Sequence, residues 1–237
     1  MNSSMRWVFG VCVAASLIMT AVALHFWGAA EIRANAVEVL FLTFGGAVWL
    51  TVATRLFSWL GLSLRDDVVE RRNIAALVAL CGAVMAVAII YAGGSLGEGP
   101  SFINNFFSAA VGTAGWFGFW ILLEFGAKVS RSIAEERDLA SGLRLGGLLL
   151  AIGLVLGRAA AGNWYSETAT IQGIIHDGWP AAALWGIALV AERFARPSRR
   201  CPFPAWQGRG VLPALLYLAL AAAWVWHLGP WEGMPRR

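Results

Sequence analysis

Charge is what this chain lacks most. Of its 237 residues, 14% are charged and 59% are hydrophobic. A soluble domain carries about a quarter charged residues, so a water-soluble globule is excluded and a polytopic membrane protein is expected. Lysine is nearly absent: Lys128 stands alone against seventeen arginines. It falls at a loop edge, which excludes a retinal Schiff base, because that linkage needs an intramembrane lysine amine. The three cysteines, Cys12, Cys81 and Cys201, lie in different segments. Their spacing gives neither a disulfide framework nor a zinc site, and all three are expected to be reduced and structural. Gly-x-Ser-x-Gly, His-Glu-x-x-His and phosphate-loop motifs are missing, so no enzyme chemistry is indicated. The net charge of +4 is no nucleic-acid signal, because the arginines sit in short loops between apolar runs.

What the chain has in abundance is apolar length. A membrane-spanning helix needs roughly 20 mostly apolar residues. Seven stretches qualify: Trp7–Trp27, Val37–Leu60, Ile74–Gly93, Asn105–Gly126, Leu139–Ala161, Ile171–Arg193 and Val211–His227. The fold class is therefore all-α, a multi-pass membrane protein of about seven helices. The first run is longer than the roughly 7–15 residues of a signal-peptide core, which favours a retained helix. Cations group in alternate loops: Arg65, Arg71 and Arg72; Lys128, Arg131 and Arg137; Arg196, Arg199, Arg200 and Arg209. The positive-inside rule places these loops, with Arg6, in the cytoplasm. These loops make up the arginine side. Trp27, Trp164, Trp179, Trp224, Trp226 and Trp231 fall near the opposite boundary, the tryptophan side, where indoles suit the headgroup level.

One pattern occurs twice. Glu70–Gly97 and Glu135–Gly162 each begin with a charged run, then Asn or Asp, then an apolar run. An offset of 65 residues pairs Arg72 with Arg137, Asn73 with Asp138, Ala75 with Ala140 and Gly82 with Gly147. Asn73 and Asp138 are expected as helix N-caps, their oxygens accepting from free backbone N–H groups. With the helix before it, each copy makes a two-helix hairpin. Both hairpins enter from the same side, as a parallel repeat does. The expected organisation is an N-terminal helix and loop over 1–36, repeats over 37–97 and 98–162, and a C-terminal helix pair over 163–237.

These residues carry a resemblance. Arg72-Asn73-Ile74-Ala75-Ala76, Gly97-Glu98-Gly99-Pro100, and Leu139-Ala140-Ser141-Gly142 through Gly146-Gly147 to Gly157-Arg158 resemble the bacterial family called domain of unknown function 350. The resemblance covers about residues 37–162 and implies an inner-membrane protein of uncharacterised activity. It also implies a partner role near membrane-stress functions. The family usually has Gly before the Asn, where this chain has Arg72, and the second copy has Asp138 in place of Asn.

Polar and small residues within the apolar runs are the remaining candidates. Gly142, Gly146, Gly153 and Gly157 share one face of the fifth helix. Such a stripe admits another backbone closely, either within the chain or as a homo-oligomer seam. Arg144 and Arg158 align on another face about 21 Å apart. Glu124 is the expected partner of Arg144, and Glu98 or Glu38 that of Arg158. The alternative is a polar translocation path bounded by the two arginines. His25, His176 and His227 map to the tryptophan side, with no ligand motif to make them one metal or haem site. No catalytic, cofactor-binding or metal residue is assigned. The expectation is a non-enzymatic scaffold or partner protein of the bacterial inner membrane, in contact with the lipid bilayer and a cytoplasmic protein. The alternative is a small transporter or channel.

Overall fold

The computed structural model describes residues 3–195, 205–231 and 233–234. Cys201, Arg196, Arg199 and Arg200 lie outside the described residues. The helices are α1 (Ser3–Trp27), the short α2 (Ala30–Ala34), α3 (Ala36–Phe57), α4 (Ile74–Gly94), α5 (Phe102–Ala127), the short α6 (Val129–Ala134), α7 (Leu139–Ala160), α8 (Glu167–Gly178), α9 (Pro180–Ala195) and α10 (Leu212–Leu228). The described residues form no strand. Six helical segments are long and apolar enough to cross a membrane, and a seventh is added if α8 and α9 count as one broken span.

Two of these helices form the core. The apolar stretches of α4 and α7 are 72% and 78% buried, against 17–39% for the other four spans that need no joining, so the rest wrap around this pair. Sequence explains why. α4 is rich in alanine and α7 in glycine, and small residues let helix backbones touch where lipid offers no hydrophobic drive to associate. Gly142 meets Ala75, Gly146 meets Val78 and Ala79, Gly153 meets Ala86, and Gly157 meets Ile89. From the other side, Gly82 meets Gly146 and Gly93 meets Gly157. Contacts rise together along both helices, so α4 and α7 run parallel. The Gly142/Gly146/Gly153/Gly157 face is thus filled by a helix of the same chain. A homo-oligomer seam through that face is not available in this fold, because α4 already occupies it.

Both N-caps form as expected. Asn73 Oδ1 accepts from the N–H of Ala75 and Ala76, and the Asp138 carboxylate accepts from those of Ala140 and Ser141. The residues before them, Arg72 and Arg137, take φ of 53° and 55°. That left-handed conformation favours glycine, the residue that the resemblance leads one to expect at the first of these positions. The two caps differ in what else they do. Asn73 is buried and its Nδ2 donates to the Ile133 carbonyl of α6, at 2.6 Å. A carboxylate has no proton to give there. Asn73→Asp is therefore expected to keep the cap but set an acceptor against an acceptor, costing about 1–3 kcal/mol; equal unfolding free energies of the two proteins in mixed micelles would rule this out.

On the tryptophan side, the loops after α4 and α7 lie against each other. Trp164 N–H donates to the Glu98 carbonyl at 2.8 Å, and Glu98 N–H to Asn163 Oδ1 at 3.1 Å. Aromatic side chains tie further helices to the core. Trp116 Nε1 donates to the Leu149 carbonyl of α7, Tyr91 Oη to the Leu42 carbonyl of α3, and Trp49 Nε1 to Thr113 Oγ1 of α5. Gly45 and Gly46 make room for the Tyr91 ring.

The sixth apolar stretch is not one straight helix. α8 and α9 bend by 45° at Trp179, where Pro180 opens the second helix and has no N–H to continue the first. α9 alone, with 16 residues, is about 24 Å long, less than the hydrocarbon core of ~30 Å. The bend frees backbone carbonyls, and Trp224 Nε1 donates to that of Asp177 at 2.8 Å. Trp179 and Trp226 are exposed as a tryptophan-side belt requires, while Trp27, Trp164, Trp224 and Trp231 are half-buried. Trp7, Trp59, Phe125 and Phe194 are also exposed, near the arginine ends of their helices. Aromatics therefore mark both boundaries.

Candidate functional site

The polar centre of the molecule is built on Arg144. Five residues into α7, its side chain is 1% exposed, and Glu192, near the end of α9, is 4% exposed. Arg144 Nε donates to Glu192 Oε1 at 2.6 Å and Nη2 to Oε2 at 3.0 Å, the bidentate geometry that suits a guanidinium and a carboxylate. Nη1 donates to the Arg209 carbonyl at 2.6 Å, and Nη2 also to Ser141 Oγ at 2.9 Å. Ser141 Oγ donates in turn to Asp138 Oδ2 at 2.6 Å. The cap of α7 is thereby joined to α9 and to the turn before α10 in one buried network. This also gives the second copy's Asp a role, since Ser141 offers a hydroxyl donor at this position.

Glu124 is not the partner of Arg144. Its carboxylate accepts from Ser130 N–H and Ser130 Oγ, both at 2.8 Å, at the start of α6. The Lys128 N–H bonds to the Glu124 carbonyl, with Lys128 at φ 47°. The chain turns sharply there, and the nearest free amide donors take up the carboxylate before it can reach α7. Glu192 carried a signal of its own in the sequence. It is the one acid in α9 and lies three residues from the end of that helix, at about the depth of Arg144 in an antiparallel neighbour.

Arg158 likewise meets neither Glu98 nor Glu38. Its Nε and Nη2 donate to the Gly229 carbonyl at 3.1 and 3.0 Å, where the chain folds back after α10. Glu98 is held in the loop pair with Asn163 and Trp164, and Glu38 Oε1 accepts from Asn35 Nδ2. Arg158 lines a cavity of about 240 Å³ with Asp177, Asn163, Trp164 and Trp231 among its walls. Glu124 lines a separate apolar cleft of about 720 Å³ beside Trp59, Phe117 and Phe125. The two have no residue in common, and Arg144 lines neither. Buried Leu148, Leu149, Ile152 and Val155 fill α7 between its two arginines. The polar path weighed from the sequence is thus not assembled around these three residues.

The histidines sit apart in their bonding. His176 Nδ1 pairs with Asp177 Oδ1 at 2.9 Å, His227 packs on the Trp224 ring, and His25 on Phe26. Among the described residues no three His, Cys, Asp or Glu side chains are placed to hold a metal ion. Cys12 and Cys81 are both free thiols, Cys12 Sγ lying 3.7 Å from the Cys81 carbonyl oxygen.

Neither a curated protein nor a solved structure matches the chain. A family model, however, matches residues 31–160, close to the span of about 37–162 that the motifs marked out. The match takes in nearly all of α2 and ends on the last residue of α7. Since it covers more than half of the chain, the protein belongs to the family described as Domain of Unknown Function (DUF350).

Proposed function

We propose that this chain is a non-enzymatic scaffold of the bacterial inner membrane, with the arginine side in the cytoplasm and a cytoplasmic protein as its partner. One observation carries the reading. The strongest buried charges, Arg144 and Glu192, are bonded to each other, and the α4–α7 pair is packed through its middle. Such a centre suits a rigid frame. The 65-residue offset supports a duplicated hairpin as the origin of that frame: caps and left-handed arginines recur at it. On the arginine side, Arg65, Arg71 and Arg131 are exposed, each paired with a carboxylate of its own segment, Glu70, Asp67 and Glu135, for which an acidic partner would compete.

A second reading, a small transporter, is favoured by the break at Trp179 beside the Arg158 cavity, since broken helices line sites in many transporters. Purification of the tagged chain from native membranes tests the scaffold. A cytoplasmic protein that follows it, and is lost when Arg65, Arg71 and Arg131 are changed to Gln, is the expected result. Solute or ion flux in proteoliposomes above that of empty vesicles would favour the transporter instead.

A further inference from the structure

The cavity beneath α8 holds two opposite charges that do not meet. Arg158 and Asp177 both line it, yet Arg158 forms no ion pair among the described residues, and the ion pair of Asp177 is with His176. Arg158 is fixed by its two bonds to the Gly229 carbonyl through Nε and Nη2, and Nη1 makes no bond to a described residue. Trp164 and Trp231 are on the same walls, their indole N–H groups buried and without an acceptor among the described residues. Arg158 Nη1 is the donor left for an acceptor oxygen entering the cavity.

We propose that this cavity binds a phosphoethanolamine group, the headgroup of a zwitterionic phospholipid in the leaflet on the tryptophan side. The phosphate takes the Arg158 guanidinium, and the primary ammonium takes Asp177. Charge selects this occupant. Asp177 repels a bare anion and Arg158 a bare cation, whereas a group bearing both signs satisfies each wall. A volume of about 240 Å³ is below the ~300–1,000 Å³ of pockets for drug-sized ligands, which suits a headgroup whose acyl chains stay outside. Depth points to the bilayer as the source. Arg158 lies two residues from the end of α7, and exposed Trp179 and Trp226 flank this end of the bundle, as indoles do at headgroup level. An ethanolamine headgroup is preferred to choline because a quaternary ammonium has no proton to donate to a carboxylate.

The inference is independent of the scaffold reading, because lipid retention and partner capture are measured separately. The experiment uses the full chain in nanodiscs of phosphatidylethanolamine, phosphatidylcholine or phosphatidylglycerol, with retained lipid counted by native mass spectrometry after detergent transfer. Preferential retention of phosphatidylethanolamine is expected, falling about tenfold, the factor that 1.4 kcal/mol represents, in Arg158→Gln and in Asp177→Asn. Should Arg158→Gln fail to fold, Asp177→Asn carries the test, since the Asp177 backbone carbonyl keeps its bond to Trp224. Glu124→Gln, which alters the separate cleft, leaves retention unchanged. Equal retention of the three lipids, or an unaltered preference in Asp177→Asn, overturns the proposal. Soluble glycerophosphoethanolamine separates the sources: failure to displace the lipid at millimolar excess supports the bilayer headgroup, and full displacement overturns it in favour of a free phosphoester.

Discussion

Arg144→Met is expected to lower the unfolding free energy by about 3–5 kcal/mol, the usual cost of removing one member of a buried ion pair. The physical reason lies in what remains. Glu192 keeps a carboxylate that is 4% exposed and loses two short bonds from the guanidinium. The Arg209 carbonyl loses its side-chain donor as well. Glu192→Leu strands the guanidinium in the same way and is expected to cost a similar amount. The double variant removes both charges at once. Since well-packed apolar replacements for a buried pair are often neutral or stabilising, Arg144→Met with Glu192→Leu should recover most of the loss. Reversible unfolding in mixed micelles, run as a double-mutant cycle, checks this. Two single losses that simply add would show that the residues are not coupled.

The second large effect is expected at the α4–α7 contact. A Cβ placed on Gly153 falls 2.5 Å from Ala86 Cβ and 2.6 Å from Ala86 Cα, so Gly153→Val drives a branched side chain into the backbone of the facing helix. Overpacking in a filled core costs about 1–3 kcal/mol where side chains can yield. Here the obstacle is main chain on α4, and prying the helices apart also opens the contacts at Gly146 and Gly157. A loss of about 3 kcal/mol or more is therefore expected, measured by the same unfolding assay. Gly118 is the control, because a Cβ there meets nothing within 4 Å. Gly118→Ala should gain about 0.5–1 kcal/mol by restricting the unfolded chain. If Gly153→Val and Gly118→Val cost the same, close approach of α4 and α7 is not what holds the core.

Much of this was legible in the chain itself. Apolar length located the six helices long enough to cross a membrane, because lipid demands that long runs satisfy their own backbone. Asn73 and Asp138 announced themselves as caps because a short polar side chain before an apolar run has few other uses at a membrane boundary. Pairing was harder to read. Loop order placed Glu124 nearest to Arg144, but which acid faces an arginine depends on helix rotation and on local competitors, and Ser130 claimed Glu124 first. The bend at Trp179 was written in Pro180, yet a proline at a helix start and one at a break look alike without knowing where the first helix ends. The meaning of Asn against Asp at the two caps needed Ile133 and Ser141 in place, which spacing alone does not supply.

The distance along the chain between Arg144 and Glu192 sets a timetable for synthesis. Forty-eight residues separate them, so at roughly 5–20 residues per second a ribosome needs on the order of 2–10 s between the two. For that interval α7 is complete without its counter-ion, and only Ser141 and Asp138, already made, can shield the guanidinium. α7 therefore has reason to stay at the insertion site until α9 arrives, leaving the ribosome and the membrane-insertion machinery to hold the nascent bundle open. Chains arrested after α7 should be cleared by membrane proteases, whereas chains arrested after α9 should persist.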